Sequence, residues 1–87
     1  MIRVIITDDH PIVRQGIRQI LEDDRDQRFS VIDEAPDSIV LLEKLLHNEY
    51  DVILLDISLP GRSGLDILPD LKKRFPCSKV IILSMIT

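Results

Sequence analysis

Three aspartates stand where apolar runs of this chain stop. Asp8 and Asp9 follow Met1-Ile2-Arg3-Val4-Ile5-Ile6-Thr7, and Asp56 follows Val52-Ile53-Leu54-Leu55. Short β-branched runs of this kind read as strands, and an open parallel α/β sheet binds ligands outside the carboxyl ends of its strands. Carboxylates gathered on one such rim repel one another unless a hard divalent cation or shared protons offset their charge. The placement therefore predicts an acidic pocket suited to Mg2+. Taken alone, an Asp-Asp pair also ends a strand and caps a helix beginning at Pro11. A second strand ending in Asp56 is what favours the pocket.

The elements that must position these acids alternate between strand and helix. The first strand covers residues 3–7. Pro11 suits the first turn of a helix over 11–22, whose Ile12, Val13, Ile17, Ile20 and Leu21 are expected to face a sheet. Residues 22–26 are acidic without apolar period and read as a solvated loop. A less apolar strand over 29–35 is expected at a sheet edge, and Pro36-Asp37-Ser38 supplies a turn and cap. The helix over 38–48 carries Leu41, Leu42, Leu45 and Leu46, with Ile39 and Val40 widening its apolar stripe. The strand over 50–56 has the continuous apolar character of a central parallel strand. A third helix over 65–75 places Leu65, Leu68 and Leu71 on one side, and Pro69 predicts a kink or a late start. The fourth strand covers 79–84. Right-handed crossovers bring Asp8, Asp9, Asp56 and Ser84 to one rim.

Composition narrows the function. The 87 residues allow one domain, short for a doubly wound sheet, and 45% hydrophobic with 30% charged residues describes a globular chain. Fifteen acidic against eleven basic residues, a net charge of −4, argue against this segment gripping a phosphate backbone. No apolar run approaches the roughly 18 residues of a membrane span, and no secretory signal opens the chain, so a cytoplasmic location is expected. The single Cys77 has neither a disulfide nor a zinc partner and reads as a passive thiol. His10 reads as a supporting neighbour of the acidic pair, and His47 as solvent-facing.

With this order of elements in view, the sequence resembles a two-component response-regulator receiver domain. The resemblance rests on Thr7-Asp8-Asp9-His10-Pro11, on Leu54-Leu55-Asp56-Ile57-Ser58-Leu59-Pro60-Gly61, on Gly64 before the third helix, and on Val80-Ile81-Ile82-Leu83-Ser84. The stretch from Asp8 to Gly16 is most similar to the subfamily that precedes a LuxR-type helix-turn-helix DNA-binding domain. The resemblance implies a flavodoxin-like parallel sheet of order 2-1-3-4 in an α/β/α arrangement. It implies a phosphoacceptor, Asp56, that takes a phosphoryl group from a histidine kinase. Mg2+ would be held by Asp9, Asp56 and the backbone carbonyl of Ser58, with Asp8 positioning water on the metal. Ser84 would be the switch hydroxyl. Such a domain catalyses its own phosphorylation and is not a free-standing enzyme.

A full receiver carries a fifth strand bearing a lysine, and the sequence stops three residues after Ser84. Residues 1–87 are therefore expected to form a partial receiver without an effector domain, with DNA contact left to a C-terminal domain outside it. Lys72, Lys73 and Lys79 lie at the wrong end to replace that lysine. The apolar strand at 79–84 would be an open edge, so a homodimer or strand exchange is expected there. The alternative function is a signalling-incompetent fragment that acts as a structural or self-associating module. A haloacid-dehalogenase-type phosphatase would need an acid where Ser58 stands, a cobalamin module would need glycine where Val13 stands, and a dinucleotide fold would not place Asp8-Asp9 in its first turn.

Overall fold

The computed structural model describes residues 1–60 and 63–83; Ser84, the expected switch hydroxyl, lies outside the described residues. Seven elements alternate along the chain: β1 (Ile2–Thr7), α1 (Pro11–Glu22), β2 (Phe29–Ala35), α2 (Ser38–His47), β3 (Val52–Asp56), α3 (Gly64–Arg74) and β4 (Lys79–Leu83). The strands form one parallel sheet in the order β2-β1-β3-β4. This is the flavodoxin-like order that the resemblance to receivers implies.

Successive side chains of a strand point to opposite faces, and the two cores follow that period. Ile5, Ile53 and Leu55 pack with Leu41 and Leu45 of α2 and Ile67 and Leu71 of α3. Val4, Ile6, Val31 and Leu54 form the opposite face, against Ile17 and Leu21 of α1. Tyr50, expected at the start of the third strand, precedes β3 and is buried. Its hydroxyl donates to Asp33 Oδ2 at 3.0 Å, while Lys44 Nζ reaches Asp33 Oδ1 at 2.6 Å. The pair ties α2 to the outer strand β2. Burial pushes the Tyr50 hydroxyl up to about 12, and the bond to the Asp33 carboxylate adds to it. Burial alone would raise Asp33, but the Lys44 and Tyr50 hydrogen bonds outweigh it and hold the carboxyl below its usual range.

Strand β2 is the edge that its polar content predicts. Its register jumps from Val4↔Val31 to Ile5↔Asp33, which leaves Ile32 as a bulge. A bulge with adjacent charges discourages another chain from adding there. Asp24, within the solvated acidic stretch, closes a turn by accepting from the Arg28 backbone N–H and guanidinium.

Two expectations about helix faces are corrected, those for α1 and α3. In α1 no residue is fully buried, and Ile12 and Ile20 are 84% and 72% exposed. The helix lies mostly over β2 and β1, so the stripe through Ile17 and Leu21 meets the sheet and the stripe through Ile12, Gly16 and Ile20 does not. In α3 the core-facing residues are Gly64, Ile67 and Leu71, and Leu65 is exposed. Four-residue spacing joins Ile67 to Leu71 on one face, where Leu65 does not fall. The helix starts at Gly64, capped by Ser63 Oγ accepting from Asp66 N, and continues through Pro69, so the late start is not found. In α2 the widened stripe is only partly covered: Val40 and Leu42 pack on the core, whereas Ile39 and Leu46 remain exposed. Among the described residues no helix is long and apolar enough to cross a membrane.

Candidate metal centre

The pairing of β1 with β3 runs in register from Val4↔Val52 to Thr7↔Leu55. One step further along both strands are Asp8 and Asp56, buried to 1% and 4% exposure. Asp9, next along the chain, completes the rim. Ligand atoms of Asp8, Asp9, His10 and Asp56 all lie within 4.8 Å of one another. The structure thus brings together the three carboxylates that the sequence singles out. Ser58 is adjacent and exposed, and its backbone N–H donates to Asp56 Oδ1 at 3.1 Å.

Each acid is placed by its backbone. Asp8 N donates to Ala35 O at 3.0 Å, which extends the β1–β2 ladder past the end of the strand. Asp8 Oδ1 then accepts from His10 N at 2.7 Å, a local Asx turn that leads the chain into Pro11. Behind Asp56, Ile57 N donates to Leu83 O at 3.2 Å and Gly64 N donates to Ile57 O at 2.9 Å. The loop that follows β3 is therefore fastened to β4 on one side and to the start of α3 on the other. Glycine fits position 64 where a side chain would force the backbone to shift. A Cβ there would collide with the carbonyl oxygen of Asp56 and lie 3.1 Å from its carbon.

His10 is the supporting neighbour of the acidic pair that the sequence suggests. Its Nδ1 lies 3.0 Å from Asp8 Oδ1 and 2.9 Å from Asp9 Oδ1. The hydrogen bond with Asp8, followed by the charge of Asp9, holds the imidazole above its ordinary pKa. When protonated, it is a counter-cation for the carboxylates. Only the Asp8 approach is aligned as a hydrogen bond, so the buried Asp9 Oδ1 has no such partner among the described residues. Arg14 was missed altogether as a site residue. Its Nη1 donates to the backbone oxygen of Asp8, six residues back, at 2.6 Å, a reach that apolar periodicity cannot reveal.

This donor set fits Mg2+. The ion takes oxygen ligands, needs only a few of them from protein because it retains waters, and is favoured by concentrated negative charge. Three carboxylates converge, one buried carboxylate oxygen lacks a hydrogen bond, and Asp9 remains partly open to solvent. The imidazole, a softer nitrogen donor, is the least suited of the four groups to a hard ion.

Known proteins share both the sequence and the fold. The chain is 40% identical over 83 residues to the nitrate/nitrite response regulator protein NarP of Escherichia coli, covering 95% of this chain and 38% of that protein. It is 34% identical over 84 residues to the transcriptional regulatory protein DegU of Brevibacillus brevis, covering 97% of this chain and 35% of DegU. The chain thus spans well under half the length of these relatives. The structure of the isolated REC domain of RcsB from Salmonella enterica serovar Typhimurium, in the presence of the phosphomimetic BeF3−, superposes with a TM-score of 0.90. That match has 36% identity and covers 99% of this chain and 63% of that one. RcsB bound to promoter rprA gives a TM-score of 0.91 at 36% identity, over 100% of this chain and 72% of that chain. The family model for the response regulator receiver domain matches residues 4–87, and with nearly the whole sequence inside that match the chain belongs to the receiver family of two-component response regulators.

Proposed function

We propose that this chain is a phosphoacceptor module in which Asp56 takes a phosphoryl group from a phosphohistidine of a partner kinase. The observation that carries the proposal is the convergence of the Asp8, Asp9 and Asp56 carboxylates at the ends of two adjacent strands. A carboxylate oxygen of Asp56 would form the new bond to phosphorus as the phosphorus–nitrogen bond to the donor histidine breaks. The bonding pair stays on the imidazole nitrogen. Transfers of this kind depend on positioning and charge neutralisation more than on covalent assistance.

Asp9, Asp56 and the backbone carbonyl of Ser58 would hold Mg2+, with Asp8 supporting it. When bound, the ion neutralises the carboxylates and the incoming phosphoryl oxygens. The chain's own residues do the rest. The Ser58 N–H fixes one oxygen of Asp56, and the Ile57 contacts to Leu83 and Gly64 keep the loop from moving as charge arrives. Ser84 is proposed as the hydroxyl that responds to phosphorylation. Promoter contact, which the structure of RcsB bound to promoter rprA includes, is proposed only for a full-length regulator acting in the cytoplasm, since this segment's net charge of −4 does not suit DNA.

Adding Mg2+ with beryllofluoride is expected to shift amide resonances around Asp56 and Ser58, and Asp56→Asn should abolish the response. An unresponsive spectrum from the native sequence would overturn the proposal. A second reading, self-association, is favoured by β4. Among the described residues it pairs only with β3, and Ile81 is 50% exposed. Sedimentation that shows a monomer at high protein concentration would rule that reading out.

A further inference from the structure

Arg14 lies on the first turn of α1, yet its side chain is only 19% exposed and is folded back toward the acidic rim. Nη1 donates to the Asp8 carbonyl oxygen at 2.6 Å. Nε stands 3.4 Å from Glu34 Oε1, close enough for ionic attraction but not aligned as a hydrogen bond. Glu34 Oε2 receives Arg18 Nη1 at 2.6 Å, and Arg18 Nε donates to Glu22 Oε1 at 2.9 Å. A ladder of alternating charge therefore ties α1 to β2 and ends on one backbone oxygen.

That oxygen belongs to the peptide joining Asp8 to Asp9. The plane before it is already fixed, because Asp8 N donates to Ala35 O. The Arg14 bond fixes the next plane, and its orientation sets where the Asp9 Cα directs its carboxylate. Asp9 needs this support, since its buried Oδ1 has no hydrogen bond among the described residues.

We propose that Arg14 is a positioning residue for the divalent ion: it locks the Asp8–Asp9 peptide, with Glu34 orienting its guanidinium. The inference rests on the metal reading given above. It also opposes simple electrostatics. A cation beside three carboxylates repels a divalent ion, so its removal would tighten metal binding if charge alone mattered. Positioning predicts the reverse, because groups that orient metal ligands typically contribute about 10- to 100-fold in affinity.

The test is a Mn2+ titration of the whole chain, with the free ion counted by electron paramagnetic resonance. Native protein, R14Q, R14K and a D9N control are compared, each also melted in chelator. R14Q is expected to bind about tenfold more weakly. R14K should fall between R14Q and the native chain, because an ammonium keeps the charge but lacks the fork that spans Asp8 and Glu34. Unchanged or tighter binding by R14Q overturns the proposal. If R14Q loses its cooperative melt, R14K decides alone: weaker binding at constant charge supports the positioning role, and native affinity refutes it. A native chain that binds no ion in a D9N-sensitive way ends the metal reading and this inference together. Native binding with both Arg14 variants indifferent ends only this one.

Discussion

Gly16 and Gly64 both lie in helices, and replacing each by alanine should change stability in opposite directions. Alanine is favoured over glycine inside a helix by about 0.5–1 kcal/mol. At Gly16 a Cβ would meet nothing within 4 Å, so that preference is felt in full. At Gly64 the Cβ would strike the Asp56 carbonyl oxygen and stand 3.2 Å from the Ile57 Cα. These are backbone atoms held by the Gly64–Ile57 hydrogen bond and cannot turn aside as a side chain would. Overpacking costs about 1–3 kcal/mol, and a clash with backbone that cannot yield belongs in the upper half of that range, so it exceeds the helical gain and leaves a net loss of about 1–2 kcal/mol. A domain of this size shifts by about 4–8 °C per kcal/mol, so G64A should melt about 5–15 °C lower and G16A a few degrees higher. Circular dichroism melts in chelator measure both. G64A should also bind Mn2+ more weakly, because the displaced backbone carries Asp56. A G64A melt at or above the native temperature would refute the close contact between α3 and the site.

Two further substitutions probe the fold that supports the rim. Tyr50 is the chain's one tyrosine and there is no tryptophan, so tyrosinate absorbance reads a single residue. Its folded pKa, about 12, lies above the unfolded value of about 10. The associated stabilisation is therefore complete below pH 10 and is lost as pH rises through 12. A rapid pH-jump titration should give a midpoint near 12 and a lower one in Asp33→Asn; ionisation near 10 in the native fold would contradict the buried pairing. Thr7 is fully buried, and its Oγ1 has no hydrogen-bond partner among the described residues. Thr7→Val should be neutral or stabilising by up to about 1 kcal/mol, because it removes an unpaired hydroxyl and keeps the β-branch. A clear drop in the melting temperature would reveal a partner for that oxygen.

The rim was legible in the sequence because strand period and strand ends are local properties. Asp8 and Asp56 terminate apolar runs, and parallel topology alone then brings them side by side. Which apolar stripe is covered is not local. Ile12 and Ile20, eight residues apart, share one helix face just as Ile17 and Leu21, four apart, share another, and only the seat of α1 over β2 decides that the first pair stays exposed. Leu65, Leu68 and Leu71 draw the apparent stripe of α3 one position away from its real face, which runs through Gly64, Ile67 and Leu71. Arg14 escapes the sequence for another reason: its role depends on a long side chain reaching a main-chain oxygen, and no pattern of residue types encodes that. The bulge at Ile32, which sets Glu34 toward Arg14 and Asp33 toward Lys44, is equally invisible in composition.

Amide spectra recorded while trace Mn2+ is added locate the bound ion directly, since a paramagnetic centre broadens the nearest resonances first. Broadening should begin at Asp8, Asp9, His10, Asp56, Ile57 and Ser58, reverse with excess Mg2+, and vanish in Asp56→Asn. Broadening that instead centres on the acidic turn around Asp23 and Asp24, or spreads evenly over the surface carboxylates, would show that the strand-end aspartates do not form a metal site.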